Sequence, residues 1–223
     1  MRRLKLSASI MCADLLNLGT VVNTLGEKGF DYLHFDVMDG HFVPEVGLGV
    51  FFLEQLTKAQ LLPVDVHLMV TDPRRYIEPL AEAGASLICI HQEIAGDLRH
   101  LLQSIRERGV KSGLAVKPDT RLTAILPFID LLDLVLLMTY APGIRNQTAA
   151  TGFEQRISAL SRLLDENGGA GIDIAVDGGI SQKILKSYKE AGANFFIMGS
   201  SGLFIPNTRL SDQIDRVKRM LCS

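Results

Sequence analysis

The 223-residue sequence lacks several features that define specialised classes of protein. It has three cysteines, an odd number, and no Cys-x-x-Cys spacing. Neither a disulfide framework nor a cysteine zinc site is therefore expected, and a cytoplasmic location is predicted. Lys plus Arg (23) nearly balance Asp plus Glu (25) without a basic block, which argues against nucleic-acid or polybasic membrane binding. No apolar run approaches the roughly 20 residues of a membrane span. The amino-terminal apolar stretch ends at Asp14 and is too short for a signal peptide.

What the sequence does contain is an alternation of short apolar runs with longer segments of helical periodicity. Polar residues do not alternate with apolar residues along these runs, which is typical of a parallel sheet that helices cover on both sides. Eight strands are predicted, over residues 4–10, 32–39, 64–70, 87–93, 111–118, 132–140, 173–177 and 195–199. With no linker-like break, residues 1–223 are predicted to form a single α/β domain, a (β/α)₈ TIM barrel. The alternative is an open doubly wound sheet, but Cys12-Ala13-Asp14 follows the first strand instead of G-x-G-x-x-G.

Polar side chains fall at the carboxyl ends of the predicted strands, where a barrel carries its functional groups. His34 and Asp36 are two residues apart, so their side chains share one face of the second strand. His67 and Asp177 stand at the ends of the third and seventh strands. Two imidazoles and two carboxylates suit a divalent cation such as zinc, iron, manganese or cobalt. The alternative is a set of hydrogen-bonded histidines near the core, but four groups at strand ends favour the metal.

Small residues follow the last two predicted strands. Gly178 and Gly179 come after the seventh strand, and Gly199 and Ser200 come after the eighth. These two loops form the common phosphate cradle of the barrel, built from backbone N–H groups that glycine allows a ligand to approach. Either loop alone could equally be a tight turn. The presence of both in consecutive units favours a phosphate site.

Five segments together resemble the ribulose-phosphate 3-epimerase family. They are residues 7–14, 34–44, 65–70, 176–180 and 199–204. The segments occur in order and span essentially the whole chain. The Ser-Gly-Leu-Phe sequence at 201–204 also resembles the allulose-6-phosphate 3-epimerase branch.

The resemblance implies an isomerase of carbohydrate metabolism that inverts C3 of a ketose phosphate through an enediolate. The substrate pair would be ribulose 5-phosphate and xylulose 5-phosphate, or allulose 6-phosphate and fructose 6-phosphate. One divalent metal ion (Zn, Fe, Mn or Co) would be held by His34, Asp36, His67 and Asp177, with Asp36 and Asp177 as the acid/base pair. A cytoplasmic homo-oligomer, a dimer or hexamer, is also implied. The substrate-binding residues would be Ser9, His67, Met38, Met69, Met138, Gly143, Arg145, Asn146, Gly178, Gly179, Gly199 and Ser200.

The sequence departs from the family pattern at several positions. Ala8 stands where the family usually has proline. Glu45-Val46-Gly47 follows the Val-Pro pair, where the family usually has Asn-x-Thr or a similar sequence. Arg145 and Asn146 replace two glycines of the loop after the sixth strand, and Lys117 replaces asparagine. The catalytic positions are intact, so C3 chemistry is expected while substrate choice stays open. The alternatives are a non-catalytic sugar-phosphate binder and another phosphate-binding-barrel lyase, whose Asp-x-Lys-x-x-Asp pattern is absent. A Schiff-base role for Lys117 is disfavoured, because that mechanism has no use for the metal set.

Overall fold

The computed structural model describes residues 2–144 and 152–222. Within these residues eight parallel strands close into a barrel, in which each strand pairs with the next and the eighth pairs with the first. The strands are β1 (Lys5–Ser9), β2 (Tyr32–Met38), β3 (Val64–Met69), β4 (Leu87–His91), β5 (Lys111–Val116), β6 (Leu134–Met138), β7 (Asp173–Asp177) and β8 (Phe195–Met198). The predicted TIM barrel is confirmed. Every strand lies where the sequence predicts it and is at most two residues shorter at either end.

Helices surround the barrel, and all but the last connect successive strands. In the described part of the chain they are α1 (Leu18–Glu27), α2 (Val50–Lys58), α3 (Arg74–Glu82), α4 (Leu98–Glu107), α5 (Phe153–Glu166), α6 (Leu185–Glu190) and α7 (Leu210–Cys222). The connection from β5 to β6 is instead a 3₁₀ helix, Leu122–Leu131, with Pro127 inside it. None of the described helices is long and apolar enough to cross a membrane.

The strands are buried on both faces, which explains their unbroken apolar sequences. The larger buried cluster packs the outer faces of the strands against the helices and includes Phe35, Val66 and Val176. A smaller cluster, with Leu136 and Phe195 among its members, fills the barrel interior. The interior is thus packed with side chains, and a ligand can be held only at an end of the barrel.

Candidate metal centre and active site

Four polar side chains meet at the carboxyl ends of β2, β3 and β7. Ligand atoms of His34, Asp36, His67 and Asp177 all lie within 4.8 Å of one another. The sheet register explains part of this, because Asp36 is the direct neighbour of His67 on the adjacent strand. Asp177 reaches the same point from β7 because the barrel closes. The structure therefore brings together the four residues that the sequence analysis selected as metal ligands.

Two ring nitrogens of this cluster are buried without a hydrogen-bond partner among the described residues. They are His34 Nε2 and His67 Nδ1. Asp36 Oδ1 is 3.2 Å from the first and 3.5 Å from the second, and Asp177 Oδ2 is 4.0 Å from the second. Buried polar atoms are normally hydrogen-bonded, so two imidazole nitrogens and two carboxylates around one point fit a cation. Nitrogen and oxygen donors in this ratio suit zinc, iron, manganese or cobalt.

The other nitrogen of His34 is held by a buried carboxylate. His34 Nδ1 lies 2.8 Å from Asp65 Oδ2, and the Ser7 hydroxyl donates to Asp65 Oδ1 at 2.6 Å. An ionised carboxylate can only accept hydrogen bonds, so Nδ1 of His34 carries the proton. Burial lowers the pKa of His34, but Asp65 and Asp36 outweigh it and raise that pKa, so a metal ion that binds Nε2, the atom that faces the cluster, would have to displace a proton there. Carboxylate–histidine pairs of this kind orient many metal ligands.

The other nitrogen of His67 contacts a second buried histidine. His67 Nε2 lies 2.9 Å from His91 Nε2, and His91 Nδ1 lies 3.0 Å from Glu93 Oε2. Burial lowers the pKa of His91 to about 4, although Glu93 acts in the opposite direction. His91 is therefore neutral near pH 7. From the sequence, His91 and Glu93 are candidates for a supporting or structural role, and their His-x-Glu spacing at the end of β4 parallels the His-x-Asp spacing of β2.

The pKa values of the two carboxyl groups of the cluster are shifted in opposite directions. Burial disfavours the ionised form of Asp36, but the neighbouring His34 and His67 outweigh it and hold the pKa of Asp36 well below its usual range. Burial raises the pKa of Asp177, and the charge of Asp36 adds to that effect. One cavity therefore presents a readily ionised carboxyl beside one that retains its proton more strongly.

A cavity of about 410 Å³ opens over the cluster. The predicted substrate-binding residues that line it are Ser9, Met38, Met69, Met138, Gly143, Gly178, Gly179, Gly199 and Ser200. His67 is fully buried within the cluster and does not line the cavity, while Arg145 and Asn146 lie outside the described residues. The wall also contains residues that the sequence analysis did not assign to the substrate, namely Met11, Cys12, Glu45, Tyr140, Ile144, Ile180, Ile197 and Ser201.

Glycine is required where the loop after β7 borders this cavity. Gly178 has a φ of +104°, and a Cβ atom there would lie 2.8 Å from the Thr139 hydroxyl oxygen and 3.0 Å from Tyr140 Cε1. The Tyr140 ring thus packs directly against this backbone, and burial raises the pKa of Tyr140 to about 12. A neutral phenol and bare backbone therefore form this side of the cavity.

The fold and this site define a (β/α)₈ barrel that carries a buried two-histidine, two-aspartate cluster under a cavity at the strand ends. The sequence profile of the Ribulose-phosphate 3 epimerase family matches residues 5–204. The chain belongs to this family of epimerases, which confirms the predicted family and the predicted class of enzyme. Membership also favours the epimerase over the lyase and the non-catalytic binder.

Curated relatives cover most of the chain. The ribulose-phosphate 3-epimerase of Bacillus subtilis is 39% identical over 198 residues, which are 89% of this chain and 91% of the relative. The cytoplasmic isoform of the same enzyme from Oryza sativa subsp. japonica is 35% identical over 201 residues, 88% of this chain and 86% of the relative.

Solved structures with a similar fold are more distant in sequence. The 3-hexulose-6-phosphate synthase of Salmonella typhimurium has a TM-score of 0.70 at 17% identity, covering 98% of both chains. The KGPDC of Streptococcus mutans has a TM-score of 0.72 at 12% identity, covering 99% of this chain and 98% of the other. At these identities the similarity concerns the fold alone.

Proposed function

We propose that this protein is a metal-dependent 3-epimerase that interconverts ribulose 5-phosphate and xylulose 5-phosphate. The observation that carries the proposal is the meeting of Asp36 and Asp177 in one cavity, beside two imidazole nitrogens that have no hydrogen-bond partner within residues 2–144 and 152–222. The names of the relatives at 35–39% identity support the five-carbon substrate pair.

The reaction requires removal of the C3 proton next to the C2 carbonyl, which leaves negative charge on the oxygens of an enediolate. His34, Asp36, His67 and Asp177 would hold one divalent ion, which would supply positive charge near those oxygens. The apolar side chains of Met38, Met69 and Met138 line the same cavity and limit the access of water to the reacting carbon.

Inversion requires that the proton leave from one face of the planar intermediate and return to the other. A single side chain cannot easily serve both faces, whereas two carboxyl groups can. Asp36 comes from β2 and Asp177 from β7, two strands that are not neighbours in the barrel. Asp36, the more readily ionised group, would remove the proton in one direction, and Asp177 would donate one to the opposite face. The roles would exchange for the reverse reaction.

The phosphate of the substrate would bind away from the cluster, at the loops after β7 and β8. The backbone at Gly178, Gly179, Gly199 and Ser200 borders the cavity there, and N–H groups of such loops bind phosphate well. Gly143 borders it from the loop after β6. Contacts of Arg145 and Asn146 with the phosphate stay a prediction from the sequence, as do the homo-oligomer, the cytoplasmic location and the identity of the metal.

Solvent deuterium exchange tests the acid/base assignment. In Asp177→Asn, epimerisation in D₂O is expected to be lost. Deuterium should then enter C3 of at most one of the two epimers. Asp130→Asn is a matched control, because Asp130 is an exposed carboxylate that pairs with Arg99 and belongs neither to the cluster nor to the cavity wall; it should exchange like wild type. Persistent exchange into both epimers by Asp177→Asn would refute the assignment.

A kinetic comparison tests the substrate. Ribulose 5-phosphate is expected to give a higher kcat/KM than allulose 6-phosphate, with products identified by chromatography. A preference for the six-carbon ketose would overturn the choice of substrate while leaving the 3-epimerase chemistry in place.

A further inference from the structure

The chain of contacts behind His67 involves two residues that the proposed reaction does not use. His91 ends β4, next to β3, and its ring lies 5.0 Å from that of His67, centroid to centroid, at 30°. His67 and His91 are both 0% exposed. Glu93 stands two residues further along the chain and contacts His91 Nδ1 at 3.0 Å. Glu93, His91 and His67 are thus joined by two successive hydrogen bonds, and these three residues are called the row from Glu93 to His67 below.

The donors and acceptors of this row can be assigned in order, starting from Glu93. Its Oε2 faces His91, while its Oε1 accepts the backbone N–H of Lys117 at 2.9 Å and the hydroxyl of Thr120. A carboxylate only accepts, so the proton on His91 is at Nδ1. The Nε2 atom of neutral His91 is then an acceptor, and His67 Nε2 must be the donor in the 2.9 Å contact. The lone pair of neutral His67 is left on Nδ1.

We propose that Glu93 is a positioning residue that, through His91, keeps the Nδ1 atom of His67 unprotonated and available to a metal ion. Nδ1 is the buried atom without a hydrogen-bond partner in the described chain, and it lies 3.5 Å from Asp36 Oδ1. The inference rests on the proposed function, because it concerns a ligand of the proposed metal centre. His34 has its own carboxylate, Asp65, in direct contact, whereas His67 is oriented from one imidazole further away.

The structure predicts a specific consequence of Glu93→Gln, a change that preserves shape and removes one acceptor. The N–H of Lys117 and the hydroxyl of Thr120 both point at Oε1, so the amide oxygen is expected to occupy that position. The amide NH₂ would then face His91 Nδ1 and donate to it. The proton of His91 would move to its Nε2 atom. His67 Nε2 would then have to accept a hydrogen bond from His91, and the proton of His67 would be on Nδ1. The ligand nitrogen would be blocked.

Two measurements on the full-length protein test this. Co²⁺ affinity, measured by competition with a chromophoric chelator, is expected to fall about 10- to 100-fold in Glu93→Gln, the range found for residues that orient metal ligands. Nitrogen-15 spectra of the histidine rings in metal-depleted protein should show His67 protonated at Nε2 in wild type and at Nδ1 in the variant. Glu107→Gln, which removes an exposed carboxylate on α4, is the matched control and should change neither measurement.

Unchanged Co²⁺ affinity together with an Nε2-protonated His67 in Glu93→Gln would overturn the positioning role. If that variant does not fold, His91→Phe provides the second test, because it removes the acceptor for His67 while keeping an aromatic ring. Wild-type affinity in His91→Phe would equally refute the role. Failure of wild type itself to bind Co²⁺ would instead refute the proposed metal centre, and the ring spectra of metal-depleted protein would still decide the tautomer of His67.

Discussion

Saturation of the metal-depleted protein with a divalent transition metal is expected to raise its thermal unfolding midpoint. The four ligands come from β2, β3 and β7, and their ligand atoms lie within 4.8 Å of one another in the folded barrel. The unfolded chain does not assemble this set, because Asp177 is far along the chain from His34 and Asp36. The metal therefore binds the native state in preference, and mass action converts its binding into stability.

The magnitude follows from the affinity and the size of the chain. A metal present at 100 times its Kd adds about 2.7 kcal/mol to the free energy of unfolding. One kcal/mol shifts the midpoint of a domain of this size by about 2–4 °C. The expected rise is therefore roughly 5–10 °C. Each further tenfold increase in free metal should add about 1.4 kcal/mol until the concentration limit of the experiment.

Far-UV circular dichroism is a suitable assay, because the chain has no tryptophan to report unfolding by fluorescence. Midpoints would be recorded with and without Co²⁺, Mn²⁺ and Zn²⁺ for wild type, Asp177→Asn and His100→Ala. His100 is an exposed histidine on α4, so its variant should keep the full shift, while Asp177→Asn should lose most of it. Equal shifts in wild type and Asp177→Asn, or a shift lost in His100→Ala, would refute the assignment of the site.

Two further substitutions probe the support of the cluster and the cradle. Asp65→Asn replaces the carboxylate that accepts from the His34 ring by a neutral amide, which makes the ring a less basic ligand, so Co²⁺ affinity is expected to fall about 10- to 100-fold; unchanged affinity would show that His34 needs no carboxylate partner. Gly178→Ala forces a side chain onto a φ of +104° and to 2.8 Å from the Thr139 hydroxyl, so urea unfolding should show a loss of about 1–3 kcal/mol. Gly171→Ala, whose Cβ would meet nothing within 4 Å, should lose much less, and an equal loss in both variants would contradict the argument.

The strands could be predicted because they depend on a local sequence pattern. The four-residue cluster could be predicted from a local pattern together with closure of the sheet into a barrel. Burial on both faces leaves an unbroken apolar run, and a two-residue spacing puts His34 and Asp36 on the same side of β2. The meeting of these residues with Asp177 then requires only that the sheet closes into a barrel. The 3₁₀ winding of Leu122–Leu131 depends on how that segment packs, and an apolar helical pattern does not distinguish it from an α-helix.

The contacts behind the two histidines could not be predicted, because they depend on strand register and ring orientation. Asp65 meets His34 because these residues are direct neighbours in the register of β2 and β3. A shift of one residue would place Asp65 on the other side of the sheet. The row from Glu93 to His67 further requires that two imidazole rings turn their Nε2 atoms towards each other. A sequence shows that a strand ends in polar residues, but it does not show which of their atoms meet.

The buried residues that orient the proposed metal ligands are different from the residues at which the chain departs from its family. Lys117 contacts Glu93 through its backbone N–H, while its Nζ lies 4.6 Å from the centroid of the Phe42 ring. Replacement of asparagine by lysine at this position therefore leaves the hydrogen bond to Glu93 available. Glu45 likewise borders the cavity without belonging to the four-residue cluster. Lys117 and Glu45 can therefore depart from the family pattern without displacing the four clustered residues, while Asp65 and the row from Glu93 to His67 keep the same imidazole nitrogens directed at the proposed metal site.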